Sequence, residues 1–204
     1  MPRRFIPFVP NEYYHIYNRG NNREQVFFEE MNYLYFLRGL KKYVQPVTTI
    51  IAYCLMPNHY HLVVRIKDTD KTPEVLHPLT PFSRAMKNFL ISYTKGINER
   101  YSRVGTLFQG MFKAKPIETY SYLINLCVYV HANPVKDGLV QEITDWPYSN
   151  YLEWIGERSG SLTDNEFIKD NFDSPDEYKA LVMEYLKTRN LPDDIRSYLN
   201  TLDE

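Results

Sequence analysis

The order of elements in this 204-residue chain predicts an α+β fold. It is a ferredoxin-like (split βαβ) sheet of four to five antiparallel strands, with helices on one face, a further helix on the other, and a small helical C-terminal extension. Three observations carry the prediction. Stretches at 12–19, 47–55, 59–66 and 111–118 are rich in β-formers, the last two alternating from residue to residue as half-buried strands do. Stretches at 29–43 and 80–97 repeat their apolar residues at spacings of three and four, as a helix with one buried stripe does. The six segments also come in the order strand, helix, strand, strand, helix, strand.

In residues 12–19 the run Tyr13-Tyr14-His15-Ile16-Tyr17 stops at Gly20-Asn21-Asn22, which predicts a strand and a turn, with packing as the main reading of His15 and a place near the site as the other. Tyr33, Phe36, Leu37 and Leu40 then mark a helical stripe, with Glu29 and Glu30 at its start and Lys41 and Lys42 at its end, matching the helix dipole. Residues 47–55 form a second strand, and Met56-Pro57-Asn58 joins it to the strand opening at His59 as an antiparallel hairpin. Residues 67–79 lack a period and are expected to form a mobile loop, with no role for His77. Thr80 as N-cap and Pro81 in the first turn begin the second helix, whose stripe is Phe82, Met86, Phe89, Leu90, Tyr93 and Ile97. In 111–118 Lys113 and Lys115 alternate against Phe112, Ala114 and Pro116, which predicts an edge strand with one basic face. The next helix starts near Thr119 and is expected to stop at Asn133-Pro134, because a residue before proline is pushed out of the α region. Two more helices are expected at 175–189 and 192–202. The predicted organisation is therefore a working domain, 1–152, and an acidic helical extension, 153–204.

The length suffices for a core without staples, and Cys54 and Cys127 both sit in apolar runs, as buried free thiols of a reducing compartment do. No run of about eighteen apolar residues and no apolar stretch after Arg3-Arg4 points to a membrane span or a signal peptide, so a soluble cytoplasmic protein is expected. The net charge of −1 hides an asymmetry: residues 1–150 hold 18 Lys and Arg against 12 Asp and Glu, and residues 151–204 hold 6 against 13. From Arg84 to Lys115 seven basic residues face one acid, Glu99, next to Tyr93, Tyr101 and Phe108. A solvated helix face explains such a stretch, and so does a groove that tracks a nucleic-acid backbone.

His59 and His61 are two apart on a strand and so project from one face, where two imidazoles can share a metal ion; separate surface and packing roles are the other reading. Tyr129 and Asn133 are four apart and share one side of a helix, so a nucleophile and a third ligand could arrive together. On spacing alone, a rim aromatic and a C-terminal cap before Pro134 is the favoured reading of the two. Imidazole plus a neutral carboxamide, with open positions for phosphate or water, suits Mg²⁺ or Mn²⁺ better than structural zinc or calcium.

Five segments, in order across about residues 8–152, resemble one family. They are Tyr14-His15-Ile16-Tyr17-Asn18-Arg19-Gly20, Met56-Pro57-Asn58-His59-Tyr60-His61-Leu62, Gly105-Thr106-Leu107-Phe108-Gln109-Gly110, Tyr129-Val130-His131-Ala132-Asn133-Pro134-Val135-Lys136, and Asp145-Trp146-Pro147-Tyr148-Ser149. The family is the single-tyrosine HUH transposases of the IS200-like group, and within it the REP-associated tyrosine transposases.

The resemblance implies that His59 and His61 are metal ligands, that Tyr129 is the nucleophile, and that Asn133 falls at the third ligand position, where other branches carry Gln. Tyr120 and Tyr122 are rival nucleophiles without an amide four residues on. The implied activity is metal-dependent cleavage and joining of single-stranded DNA beside a hairpin, through a 5′-phosphotyrosine link and without a nucleotide cofactor, as in transposition. Arg19, Arg23, Arg84, Lys87, Lys113 and Lys115 are candidate DNA-backbone contacts. The alternatives are a domesticated hairpin-binding module that no longer cleaves and, behind it, a hydrolase using activated water. A cytoplasmic, nucleoid-associated protein is expected, as a homodimer or a monomer.

Overall fold

A computed structural model describes residues 7–68 and 80–203; the first six residues, most of the loop expected at 67–79, and His77 lie outside the described residues. The sheet region runs β1 (Tyr13–Arg19), α1 (Glu30–Gly39), β2 (Thr48–Met56), β3 (His59–Ile66), α2 (Pro81–Arg100), β4 (Lys113–Ile117) and α3 (Tyr120–Lys136). The strands pair antiparallel throughout in the order β2-β3-β1-β4, the split βαβ arrangement.

Alternation along the strands divides the molecule into two layers. Tyr14 and Ile16 of β1, and Tyr60, Leu62 and Val64 of β3, point to the side covered by α1 and α2. The Phe36 ring there lies 4.6 Å from Phe89 and 5.0 Å from both Tyr60 and Tyr93. Helices α1 and α2 approach so closely that a Cβ on Gly39 would sit 2.3 Å from the Phe89 ring, which explains a glycine in the last turn of a helix. Thr80 caps α2 by accepting a hydrogen bond from the Ser83 amide, as its sequence predicts.

On the opposite face α3 lies across β2, with Leu123, Leu126, Cys127 and Val130 in one core with Ile51, Ala52, Cys54 and Val63. Both cysteines are buried and free. The helices that follow, α4 (Tyr151–Trp154), α5 (Asn165–Asn171), α6 (Pro175–Thr188) and α7 (Asp193–Asp203), add Trp154, Phe167, Tyr178, Val182, Ile195 and Leu199 to that core. His131 ties α3 to the C-terminal helices: Nδ1 lies 2.6 Å from the Tyr178 hydroxyl, and Nε2 lies 2.9 Å from Asn150 Oδ1. Because Asn150 Oδ1 accepts, His131 Nε2 donates, and its Nδ1 is left to accept from Tyr178. Among the described residues no helix is long and apolar enough to cross a membrane.

One expectation fails. Helix α3 does not stop at Asn133 but continues through Pro134 to Lys136. An interior proline costs about 3 kcal/mol or more through the lost hydrogen bond and the ring clash. Every residue from Leu126 to Pro134 is buried, and that packing outweighs the local preference. The extra turn brings Lys136 to the side of the helix that carries Tyr129.

Candidate active site

Helix α3 and the middle of the sheet enclose a polar centre. In β3, His59 and His61 point towards α3 while Tyr60 and Leu62 enter the opposite core. Across the ladder His59 faces Arg19 and Met56, His61 faces Tyr17 and Cys54, Tyr17 faces Lys113, and His15 faces Lys115. The His59 and His61 rings are 5.0 Å apart and nearly perpendicular. From above, α3 sets the Tyr129 ring 6.0 Å from His61, edge to face, with Asn133 one turn further along. The residue pairs proposed from spacing on strand and on helix thus meet across about seventy residues of sequence.

Each imidazole has one nitrogen engaged. His59 Nδ1 lies 2.6 Å from Asn58 Oδ1, and His61 Nδ1 lies 2.9 Å from His15 Nε2; Nε2 of each ring makes no hydrogen bond among the described residues. Burial, then the charges of Arg19 and Lys136, pushes the His59 pKa down to about 3. Burial first, then His59, His15, Lys136 and Arg19, holds His61 well below the ordinary value. Both rings are neutral at physiological pH, the state in which imidazole binds metal.

The Asn133 Nδ2 donates to the Tyr129 carbonyl at 3.0 Å. That carbonyl can only accept, so the amide orientation is fixed and Oδ1 is the outward atom. Asn133 Oδ1 is buried without a hydrogen-bond partner, a condition it shares with the hydroxyls of Tyr60 and Tyr151, which lie in the cores. An orphaned amide oxygen one helical turn from Tyr129, on the sheet face that carries two neutral imidazoles, suits a hard divalent cation. Among the described residues no group of three His, Cys, Asp or Glu is arranged for a metal, so a cation here would draw on two imidazoles and a carboxamide.

Lys136, absent from the expected site, reaches it from the turn beyond Pro134. Its Nζ lies 3.4 Å from the Tyr129 hydroxyl and 5.1 Å from the ring centroid, and also pairs with Asp137 at 3.3 Å. The spacing Tyr129, Asn133, Lys136 was there to be read as one helical side, but the proline reads as a stop.

Of the two readings of His15, packing and a place near the site, the structure shows both. The side chain is fully buried and hydrogen-bonded to His61, and its pKa is pushed down to about 3 by burial and then by Lys115. The rival tyrosines are placed differently from Tyr129: Tyr120 is 55% exposed, and the Tyr122 hydroxyl accepts from Lys115 Nζ at 2.9 Å.

The six basic candidates divide. Arg19, Lys113 and Lys115 stand on the α3 side of the sheet, with Lys113 over the Tyr17 ring and Lys115 Nζ 3.7 Å from the Tyr198 ring centroid. Arg23 is exposed in the turn after β1, where its carbonyl accepts from the Asn58 amide. Arg84 and Lys87 are exposed on α2, in the opposite layer. The one-signed stretch is also not one-signed in space, because Arg100 pairs with Glu29 at 2.8 Å and Arg103 with Glu24 at 3.3 Å.

Comparison with known proteins gives consistent results. A REP-associated tyrosine transposase of Haemophilus influenzae, so named, is 29% identical over 103 residues, which are 50% of this chain and 57% of the relative. The chain thus spans a little over half the length of the curated relative it matches. A solved REP-associated tyrosine transposase bound to a REP hairpin superposes with a TM-score of 0.59 at 18% identity, over 80% of this chain and 94% of that one, which shows a shared fold. The model of the family described as IS200-like transposase matches residues 8–133, more than half of the chain and all four strands, and the chain belongs to that family.

Proposed function

We propose that the protein is a metal-dependent single-stranded DNA endonuclease and strand transferase that cuts beside hairpin DNA through a covalent link to Tyr129. The observation that carries this reading is the meeting of the Tyr129 ring, the His59–His61 pair and the orphaned Asn133 Oδ1 on one side of the sheet. His59, His61 and Asn133 would hold Mg²⁺ or Mn²⁺, which would supply Lewis-acid polarisation of the scissile phosphate.

The protein's own groups do the rest. Tyr129 attacks phosphorus in line; its oxygen forms the new P–O bond, the bond to the 3′ oxygen breaks, and the products are a 5′-phosphotyrosine and a 3′-hydroxyl. The phenol's proton is lost and the 3′ oxygen gains one, so the exchange balances, and attack by a 3′-hydroxyl on the link reverses it. Free tyrosine has a pKa of about 10, so its oxyanion needs stabilisation. Lys136, 3.4 Å from the hydroxyl, donates to that developing charge. Arg19, Lys113 and Lys115 hold the backbone of the strand entering over β1 and β4, with Arg23 at the turn. Arg84 and Lys87, a layer away, would meet only DNA that passes around the domain. Tyr129 and the histidines belong to one chain, which supports catalysis in cis and asks for no second copy. The hairpin preference is carried over from the solved relative, which binds a REP hairpin.

Incubation of the full chain with a hairpin-bearing single-stranded oligonucleotide and Mn²⁺, followed by denaturing electrophoresis, tests the reading. A covalent adduct in the wild type that disappears in His59→Ala supports it. Hairpin binding without an adduct, unchanged by His59→Ala, would make the protein a binding module instead, and cleavage without an adduct would make it a hydrolase.

A further inference from the structure

The proposed ligand His61 is held from behind by a chain of hydrogen bonds that ends in the C-terminal helix. His15 Nε2 lies 2.9 Å from His61 Nδ1, and His15 Nδ1 lies 2.7 Å from the Tyr198 hydroxyl, 183 residues away in sequence. The His15 ring lies near-parallel to its neighbours, its centroid 5.1 Å and its plane 17° from His61, and 5.1 Å and 24° from Tyr17. Tyr198 is held in turn by Lys115, 3.7 Å from its ring centroid, and by the buried Ile195 and Leu199 of α7.

We propose that His15 and Tyr198 are positioning residues that fix the tautomer and orientation of His61, so that helix α7 is part of the cation-binding apparatus. This rests on the reading of His61 as a ligand. A neutral imidazole that offers Nε2 to a cation carries its proton on Nδ1. The His61 Nδ1–H then donates to His15 Nε2, which leaves the His15 proton on Nδ1, where it donates to the Tyr198 oxygen. Only this direction leaves His61 Nε2 as a lone pair facing outward. The reverse direction protonates Nε2 and spoils the site. His15 occupies an inward position of β1 opposite Val63, where an aliphatic side chain would pack without any polar group to satisfy, so the pairing of both its nitrogens points to this duty. Tyr198 lies well beyond the family-matched residues 8–133, which makes its part in the relay specific to the extension.

The test is Mn²⁺ binding by the full-length protein without DNA, measured by titration calorimetry, with folding of every variant checked by circular dichroism. His15→Phe keeps a buried ring but cannot accept, and weakens Mn²⁺ binding about 10- to 100-fold, the usual cost of losing such a supporting partner. His15→Gln restores an acceptor and recovers most of the affinity. Tyr198→Phe removes only the hydroxyl, and nitrogen NMR of the His61 ring then shows a mixture of tautomers where the wild type with Mg²⁺ shows Nδ1–H alone. His61→Ala separates the two ideas. If it binds Mn²⁺ as the wild type does, the ligand reading fails. If it loses Mn²⁺ while folded His15→Phe binds normally, or if His15→Gln is as poor as His15→Phe, the relay is wrong.

Discussion

The two faces of the sheet are built from the same four strands yet obey different rules. Towards α1 and α2 the filling is Phe27, Phe36, Tyr60, Phe89 and Tyr93, a dry aromatic layer in which the Tyr93 hydroxyl ends on the Val26 carbonyl. Towards α3 the strands bury His15 and His61, and the helix buries His131 and Asn133. A buried polar group left unpaired costs about 1–3 kcal/mol, so a face designed for stability alone would not carry four of them. His15 and His131 have both ring nitrogens paired, whereas among the described residues His61 and Asn133 each use one polar atom and leave Nε2 and Oδ1 open. Both faces bury an apolar core, but the polar centre lies only on the α3 side, and the one-residue alternation of β3 is what keeps it there.

Variants can break this contrast. Phe36→Ala on the dry face should cost about 3–5 kcal/mol of stability, with the surviving folded protein still forming adduct. His59→Ala on the wet face should do the opposite: melting close to wild type and adduct reduced beyond detection, read by thermal denaturation alongside the cleavage gel. Smaller but still large, Lys136→Met should slow adduct formation about 100-fold at neutral pH, as removal of an oxyanion donor does, with the rate recovering towards alkaline pH in single-turnover kinetics. Arginine at that position should retain most of the rate.

Acid should also act on one face only. The folded pKa values of His15 and His59 are about 3 and that of His131 about 4, each lowered first by burial, against about 6.5 in an unfolded chain. The unfolded state therefore binds more protons between those limits. Stability of the metal-free protein is full above about pH 6.5, falls as the pH drops towards 3, and loses nothing more from these groups below that. Urea denaturation at pH 7, 5.5 and 4 measures the slope, and His131→Gln should flatten it. The smallest expected effect is in DNA binding: Lys113→Ala should lower the salt dependence of hairpin affinity by about one phosphate contact, and Arg84→Ala, in the other layer, by less.

Most of the fold was legible because it rests on local periodicity. Alternation placed the strands, three-four spacing placed α1 and α2, and Thr80-Pro81 and Thr119 marked helix starts that the structure keeps. His59, His61, Tyr129 and Asn133 were visible for the same reason, each pair being fixed by the geometry of a single element. What escaped depends on contacts between elements. A proline rule ended α3 too early and hid Lys136, because burial of a whole helix face is not a local property. His15 read as core because its partners are 46 and 183 residues away. Arg100 and Arg103 looked like part of a basic groove until the fold brought Glu29 and Glu24 beside them.

Tyr17, Tyr122, Tyr185 and Tyr198 lie around the polar face with Tyr129, so the decisive question is which tyrosine bonds to DNA. Tandem mass spectrometry of the adduct, formed with a hairpin oligonucleotide and Mn²⁺ and then digested with protease and nuclease, identifies the modified residue directly. The prediction is a single phosphodeoxynucleotide attached to Tyr129, retained from the 3′ side of the cut. Attachment to Tyr17, Tyr122, Tyr185 or Tyr198, or an adduct that persists in Tyr129→Phe, would contradict it.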